Sequence, residues 1–182
     1  ASETISHHPG ALTYANGYVW GCFYDNNTSN INLCRAQLHN DTKTIGSFAI
    51  VKENFESDYI SSMAYNPVDG RIYYLRGYFK LLSFDPSNPA AVTEIGDYTE
   101  DFEKIAINGS GEAFCYDFYT EELYRISLTD ATTTLVGTIS GTNTIAFDQN
   151  TNELFCTAYN GSGEMLYLVN TTTATMQEIG YI

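Results

Sequence analysis

One short pattern occurs four times along the chain, as Thr44-Ile45-Gly46, Glu94-Ile95-Gly96, Leu135-Val136-Gly137 and Glu178-Ile179-Gly180. The glycines of these stretches are 50, 41 and 43 residues apart. Each stretch closes a segment in which apolar and polar residues alternate, which is the pattern of a half-buried β-strand. A period of about 40 to 50 residues indicates an architecture built from one supersecondary unit per repeat.

Two further columns of residues align with these glycines. An aliphatic residue near the start of a strand recurs as Leu33, Leu81, Leu123 and Leu166. An apolar pair that follows a turn recurs as Val19-Trp20, Ile72-Tyr73, Ala113-Phe114 and Leu154-Phe155. The turns before these pairs are rich in Gly, Asn and Asp, which tolerate the positive φ of tight hairpins. Each repeat therefore contains four strands, which we name a to d in chain order.

The repeats predict an all-β fold. Many short strands also suit a sandwich or a barrel, but self-similarity at one blade length favours a β-propeller of four four-stranded antiparallel blades. We predict one domain over residues 1–182, with repeats at approximately 11–60, 61–103, 104–143 and 144–182. Because four blades is the low end for propellers, either the ring closes with four blades or the chain is part of a larger composite propeller.

A family resemblance rests on three segments of the last repeat, Ala146 to Phe155, Leu166 to Thr172 and Ile179-Gly180. The order of residue types in these segments resembles the degenerate repeat of secreted bacterial β-propellers in the broad YVTN and quinoprotein-like group. The resemblance covers nearly the whole chain, and its motif implies a blade without implying a catalytic residue. The chain has no Trp-Asp dipeptide, kelch double glycine or Asp-box, so the functions of those propeller families do not carry over.

The charge and hydropathy of the chain exclude two kinds of partner. Eight Lys and Arg stand against 22 Asp and Glu, for a net charge of −14. A nucleic acid is therefore not an expected partner, because phosphate recognition needs clustered basic residues. No apolar run approaches the roughly 20 residues of a membrane span. We expect an acidic protein that is secreted, periplasmic or on the cell surface, whose export signal is absent from the N-terminus at Ala1.

The four cysteines do not form a metal site. Cys115 and Cys156 occupy the same column of neighbouring repeats, so we expect them to be free thiols in the core, too far apart for a disulfide. Cys22 and Cys34 lie across one hairpin, and a disulfide and two free thiols both remain open for them. Because no Cys-x-x-Cys or His cluster accompanies them, we predict neither a metal nor a cofactor.

One face of the propeller is the expected binding surface. The d–a and b–c connections share this face, and the d–a loops are predicted at Ser47 to Ile60, Asp97 to Glu103 and Thr138 to Asn143. Long loops tend to be functional, which favours the first of them. The predicted ligand-binding residues are Tyr24, Phe55, Asp58, Tyr59, Tyr78, Tyr98, Asp101, Phe102, Tyr119 and Tyr159.

These residues favour recognition over catalysis. Aromatic rings beside carboxylates form a platform for a sugar or a peptide, and no Ser-His-Asp or Cys-His arrangement can be assembled. The leading hypothesis is a non-enzymatic recognition or scaffolding module that binds an extracellular glycan or protein, with self-association as a way to complete a ring. The alternatives are an extracellular glycan hydrolase or lyase using Asp58 with Asp101 or Glu100, and a purely structural domain of a larger surface protein.

Overall fold

The computed structural model describes residues 9–25, 29–77 and 79–182. Within these ranges the helices and strands assigned are all β-strands. The first sheet contains β1 (Pro9–Ala15), β2 (Tyr18–Asp25), β3 (Asn30–His39), β4 (Thr44–Ile45) and β5 (Ala49–Glu56). The second contains β6 (Ile60–Asn66), β7 (Arg71–Arg76), β8 (Lys80–Asp85) and β9 (Asn88–Asp97). The third contains β10 (Phe102–Ile107), β11 (Ala113–Asp117), β12 (Glu122–Ile126) and β13 (Thr133–Thr138). The fourth contains β14 (Thr142–Asp148), β15 (Glu153–Tyr159), β16 (Glu164–Val169) and β17 (Met176–Tyr181).

Each sheet is built from consecutive strands, and each strand pairs antiparallel with its neighbour in the sheet. The four sheets are the blades of a β-propeller, as the repeats predicted, and each blade is contiguous in sequence. We number the blades 1 to 4 in chain order. The inner strands β1, β6, β10 and β14 line a central cavity of about 420 Å³. In the described ranges no helix is long and apolar enough to cross a membrane.

The apolar core lies between the blades. Side chains alternate across each strand, so that Ile72 and Tyr74 of β7 join the cluster shared with blade 1, while Tyr73 and Leu75 join the cluster shared with blade 3. A third cluster joins blades 3 and 4 around Phe114, Leu123 and Leu154. Burying a Leu or Phe side chain stabilises a fold by roughly 1.5–3 kcal/mol, so these junctions hold the arc of blades together.

The prediction that Ser47 to Ile60 form a long loop is wrong, because most of this segment is the outermost strand of blade 1. Residues Ala49–Glu56 of that segment form β5, which pairs with β3. The cause is the length of β3, whose ten residues extend the hairpin beyond the rest of the blade and pair Leu38 with Ile45 in the short β4. The actual d–a connection of blade 1 is the short segment 57–59.

The register of β5 also corrects the alignment of the repeats. Gly46 donates its N–H to the carbonyl of Gln37 and does not lie opposite Leu33, whose partner is Lys52. The leucines of the other blades lie opposite Gly96, Gly137 and Gly180. Positions 52, 96, 137 and 180 are 44, 41 and 43 residues apart. The irregular interval of 50 residues therefore disappears.

The two glycines at inner junctions allow neighbouring blades to approach closely. A Cβ atom on Gly96 would lie 2.7 Å from the carbonyl oxygen of Asp130, in the c–d turn of blade 3. A Cβ atom on Gly137 would lie 2.9 Å from the Cβ of Ala174, in the c–d turn of blade 4. At positions 96 and 137 a side chain would therefore meet the next blade.

All four cysteines are buried and free, so Cys115 and Cys156 are free thiols as predicted. Cys22 lies opposite Leu33 and Cys34 lies opposite Gly21. This one-residue offset directs the Cys22 and Cys34 side chains to opposite faces of the sheet, which decides between the two alternatives in favour of free thiols. Burial raises the pKa of Cys34 to about 11, and burial with the nearby Cys34 and Glu56 raises the pKa of Cys22 far above its ordinary range.

Candidate ligand-binding face

The d–a and b–c connections lie on one side of the propeller because the strands of each blade alternate in direction. We call this side the loop face. Its d–a segments are 57–59, 98–101 and 139–141, and its b–c segments include 118–121 and 160–163. The opposite side carries the a–b and c–d turns.

A cleft with a volume of about 290 Å³ opens on the loop face, lined by Glu103, Lys104, Tyr116, Phe118, Tyr119 and Asn143. The aromatic rings of Phe118 and Tyr119 meet edge to face, with centroids 5.9 Å apart. The side chain of Phe118 is exposed, and Tyr119 is 76% exposed. The cleft therefore presents aromatic surface that the fold itself does not bury.

Polar groups of both charges surround these rings. The Nζ atom of Lys104 lies 3.9 Å from Oε2 of Glu103. The side-chain amide of Asn143 donates to both carboxylate oxygens of Glu164, at 2.9 and 3.0 Å. Burial and the charge of Glu103 raise the pKa of the Tyr59 phenol, which places Tyr59 near the same carboxylate. A ligand at this cleft would meet a carboxylate, an ammonium and an amide close together.

The buried carboxylate of Asp117 holds the cleft's loops in place. Its Oδ1 accepts the backbone N–H groups of Tyr119 and Thr120 at 2.9 and 3.0 Å. Its Oδ2 accepts the backbone N–H of Asp101 at 3.0 Å. One side chain thus ties the b–c loop of blade 3 to the d–a loop that precedes it. Hydrogen bonds to a charged acceptor are among the stronger ones in proteins, so the cleft is preorganised.

A second acidic residue near this face, Glu56, has a structural role. Its Oε1 accepts the phenolic O–H of Tyr74 at 2.6 Å, and its Oε2 accepts from Arg76 at 3.2 Å. Burial, together with this hydrogen bond and the charge of Glu56, raises the pKa of Tyr74 well above its ordinary value. The Glu56 carboxylate is therefore committed to the fold.

Six of the ten predicted binding residues present exposed side chains on the loop face, namely Tyr24, Asp58, Tyr59, Asp101, Tyr119 and Tyr159. Of these, Tyr119 lines the cleft and Tyr59 lies near its Glu103. Tyr78 lies outside the described residues. That these side chains bind a ligand stays a prediction.

The other three predicted residues are buried aromatics. Phe55 packs between blades 1 and 2, with its ring centroid 5.5 Å from that of Tyr74. Tyr98 and Phe102 stack against each other at 4.9 Å between blades 2 and 3. Their position corrects the expectation that these rings lie on the rim. They lie in the apolar core beneath the loops.

Sequence reasoning left five cleft residues out of the predicted set, namely Glu103, Lys104, Tyr116, Phe118 and Asn143. Glu103 and Lys104 lie at the start of β10, and Asn143 lies at the start of β14 in the next blade. The first residues of an inner strand are a usable signal, since they emerge beside the d–a loop. Their meeting across two blades depends on packing that no local pattern shows.

The carboxylates of the described part of this face do not assemble into a metal site. In residues 9–25, 29–77 and 79–182, no group of three or more His, Cys, Asp or Glu side chains is placed to hold a metal ion.

Comparisons with known proteins identify the fold and no more. No family model matches the chain, and no curated protein matches it. Among solved structures, a protein of unknown function from Bacteroides thetaiotaomicron superimposes with a TM-score of 0.67 at 11% identity, over 98% of this chain and 44% of its own. The chain has the β-propeller fold. A structure of a nidogen/laminin complex gives a TM-score of 0.62 at 14% identity, over 81% of this chain and 57% of the other.

A third solved propeller is virginiamycin B lyase from Staphylococcus aureus, with a TM-score of 0.57 at 13% identity, over 98% of this chain and 57% of the enzyme. The propeller described here thus spans about half the length of the solved chains it matches. Identities of 11 to 14% establish a common fold, and fold does not imply function.

Proposed function

We propose that this propeller is a non-enzymatic recognition module, secreted or displayed at the cell surface, that binds an extracellular glycan through the cleft of its loop face. The observation that carries the proposal is the pair of exposed rings, Phe118 and Tyr119, beside Glu103, Lys104 and Asn143. The resemblance to secreted bacterial propellers and the net charge of −14 support the location.

The chemistry of the cleft suits a sugar ring. Sugars have one or two apolar C–H faces and a rim of hydroxyl groups. An aromatic side chain buries the apolar face, while a carboxylate such as Glu103 accepts from hydroxyls and Lys104 donates to them. Because Asp117 already orders the loop that carries Tyr119, binding needs little further ordering of the protein, which favours affinity.

Recognition of a protein is the second candidate function. The exposed Tyr24 and Tyr159 extend the aromatic surface of the loop face beyond the cleft, and Tyr is enriched at protein interfaces. One of the similar solved propellers was crystallised in a nidogen/laminin complex. A broad partner would contact these outer tyrosines together with Tyr119, whereas a short glycan would contact the cleft alone.

A glycan hydrolase or lyase is less well supported. The Glu100 carboxylate accepts hydrogen bonds from Thr133 Oγ1 at 2.7 Å and from the backbone of Thr99 at 3.0 Å, which commits it to structure. Asp58 and Asp101 are exposed, but neither lines the cleft. The purely structural alternative differs from recognition only by the absence of a ligand.

Binding to a glycan array and to a peptide library separates these functions. We expect glycan binding that weakens at least tenfold, equivalent to about 1.4 kcal/mol, when Tyr119→Ala removes the most exposed ring of the cleft. The control is Val68→Ala, an exposed apolar residue in the a–b turn of blade 2 on the opposite side. Binding to peptides alone, with a loss in Tyr24→Ala or Tyr159→Ala, would favour the protein partner. Glycan binding unchanged in Tyr119→Ala would remove the cleft from consideration.

A further inference from the structure

Every blade has two faces that pack against its neighbours. We call the side that carries the strand c leucine the leading face, and the opposite side, which carries the inner-strand residues Leu12, Met63, Ile105 and Ile145, the trailing face. At three junctions the leading face of one blade packs on the trailing face of the next. The same type of interface thus repeats within one chain.

No buried apolar cluster of the described residues covers the leading face of blade 4. Its leucine, Leu166, is half-buried, whereas its equivalents in blades 1 to 3, Leu33, Leu81 and Leu123, are fully buried. Phe155 is likewise half-buried where its equivalent Phe114 is fully buried. These are apolar side chains of an inter-blade interface without the facing blade.

The trailing face of blade 1 shows the complementary exposure. Leu12 is 49% exposed, and its equivalents Met63, Ile105 and Ile145 are 4, 4 and 5% exposed. Tyr14 in β1 and Ile50 in β5 are also exposed. Cys34 lies between Leu12 and Ile50 in the same cross-strand row and is fully buried, so the exposed apolar side chains lie along the inner and outer strands of this face.

The glycines at positions 96, 137 and 180 give independent evidence that blade 4 has no blade packed on its leading face. A Cβ atom on Gly96 or Gly137 would meet the c–d turn of the following blade, but a Cβ atom on Gly180 would meet nothing within 4 Å. Blade 4 thus keeps the glycine without a turn packed against it.

Hydrogen bonds cross the three filled junctions. The backbone N–H of Tyr65 donates to Thr13 Oγ1 at 3.1 Å, and that of Ile105 donates to Ser62 Oγ at 3.1 Å. The N–H of Gly109 donates to Asn152 Oδ1 at 2.7 Å. Among the described residues, no buried apolar cluster joins blade 4 to blade 1.

We propose that a second copy of this chain covers both faces, so that blade 4 of each copy packs on blade 1 of the other and two chains close one ring of eight blades. The interface would continue the leading-on-trailing packing that holds blades 1 to 4 together. A head-to-tail contact of this kind closes into a ring when its rotation allows.

The chemistry of the two faces sets the salt dependence of the pairing. Leu12, Tyr14 and Ile50 on one side, and Phe155 and Leu166 on the other, are uncharged. Each copy carries a net charge of −14, so repulsion between whole chains opposes association until salt screens it. Added salt should therefore strengthen the dimer, whereas an interface held by ion pairs would weaken.

The test is the solution mass of the 182-residue chain by light scattering over a wide range of concentration and at low and high salt. We expect about twice the 20.2 kDa mass of one chain, with a larger dimer fraction at high salt. Leu166→Arg on blade 4 and Leu12→Arg on blade 1 should each give monomers, because each substitution places a charge in both junctions of the ring. Leu135→Arg, on the exposed outer strand of blade 3, is the matched control and should remain a dimer.

Thermal unfolding of each variant shows that a monomer is a folded one. A wild-type chain that is monomeric at all concentrations would overturn the proposal and leave the two faces to another occupant, such as further blades. A dimer that persists in both Arg variants would place the contact elsewhere, and open polymers in place of a dimer would refute the closed ring. These outcomes do not depend on the proposed glycan site, because the loop face takes no part in the junctions.

Discussion

The glycine at position 96 provides the sharpest test of how neighbouring blades pack. In Gly96→Ala, the new Cβ atom would lie 2.7 Å from the carbonyl oxygen of Asp130 and 3.2 Å from the Cβ of Ala131. The first distance is roughly 0.6 Å shorter than the ~3.3 Å at which a carbon normally approaches a carbonyl oxygen. Since the obstacle is backbone, the whole c–d turn of blade 3 has to move.

The magnitude follows from overpacking in a filled interior, which costs about 1–3 kcal/mol. For a chain of this size, each kcal/mol lowers the melting temperature by roughly 2–4 °C. We therefore expect Gly96→Ala to lower the melting temperature by roughly 4–8 °C, for a loss of about 2 kcal/mol. Circular dichroism during heating and during urea unfolding measures both quantities.

The matched control is Gly180→Ala, the same substitution at the same position of blade 4. No heavy atom lies within 4 Å of the added Cβ, so the free energy of unfolding should stay within about 0.5 kcal/mol of the parent, as for surface substitutions in general. Both substitutions belong in a Leu12→Arg background, in which two copies cannot pair. Equal losses in the two variants, or no loss in Gly96→Ala, would refute the idea that this glycine is needed for blade contact.

Two further predictions concern buried ionisable groups. Asp117→Asn should lower the free energy of unfolding by about 1–3 kcal/mol, because the new amide places donors against one of the N–H groups of Asp101, Tyr119 and Thr120. The loosened loops should show faster hydrogen exchange in segments 99–101 and 118–120, whereas the exposed Asp58→Asn should leave exchange there unchanged. Unaltered exchange in Asp117→Asn would contradict the role of this carboxylate. The second prediction follows from the pKa of Cys34, which burial raises from 9.0 to about 11. Between these two pH values the unfolded chain has released the thiol proton while the folded chain still holds it, and this favours unfolding. The protonated thiol therefore makes its full contribution to the free energy of unfolding below pH 9, and that contribution is lost as the pH rises towards 11. Urea midpoints between pH 8 and 11 should fall more steeply in the wild type than in Cys34→Ala, and parallel curves would rule out the thiol as a cause.

The blade architecture could be predicted because its cause is local. A strand buried on both faces between two blades needs apolar residues at consecutive positions, as in Ile72 to Leu75, and a hairpin needs residues that tolerate positive φ, such as Gly17 and Gly70. These requirements recur once per blade and leave a period in the sequence. The repeated apolar-glycine pattern aligns Gly46 with Gly96, Gly137 and Gly180, but this alignment is wrong for blade 1. The extension of β3 places Gly46 beside Gln37, and the repeated pattern alone does not reveal this pairing.

The candidate site was harder to predict because it depends on how the blades are placed relative to one another. Tyr98 and Phe102 flank a d–a loop as expected, but both turn inward and pack against each other, and no local pattern tells an inward ring from an outward one. Glu103 and Asn143 reach the same cleft from adjacent blades, and their proximity depends on how those blades pack. The loops could be located from sequence, whereas the side chains that meet there could not.

The c–d turns are the elements that pack against the strand d glycines of the preceding blades, at Gly96 and Gly137 but not at Gly180. Ala131 and Ala174 each end a four-residue turn with a left-handed φ, of 60° and 57°, and each lies against the glycine of the preceding blade. Lys43 ends the c–d turn of blade 1 with a φ of 56°, and it is exposed. It follows Leu33 by ten residues, whereas Ala131 and Ala174 follow Leu123 and Leu166 by eight, because β3 is extended. The turn of blade 1 is therefore not matched residue by residue to the turns that meet Gly96 and Gly137. The pattern that decides the fold thus also indicates, at its last occurrence, a contact that the chain does not make with itself.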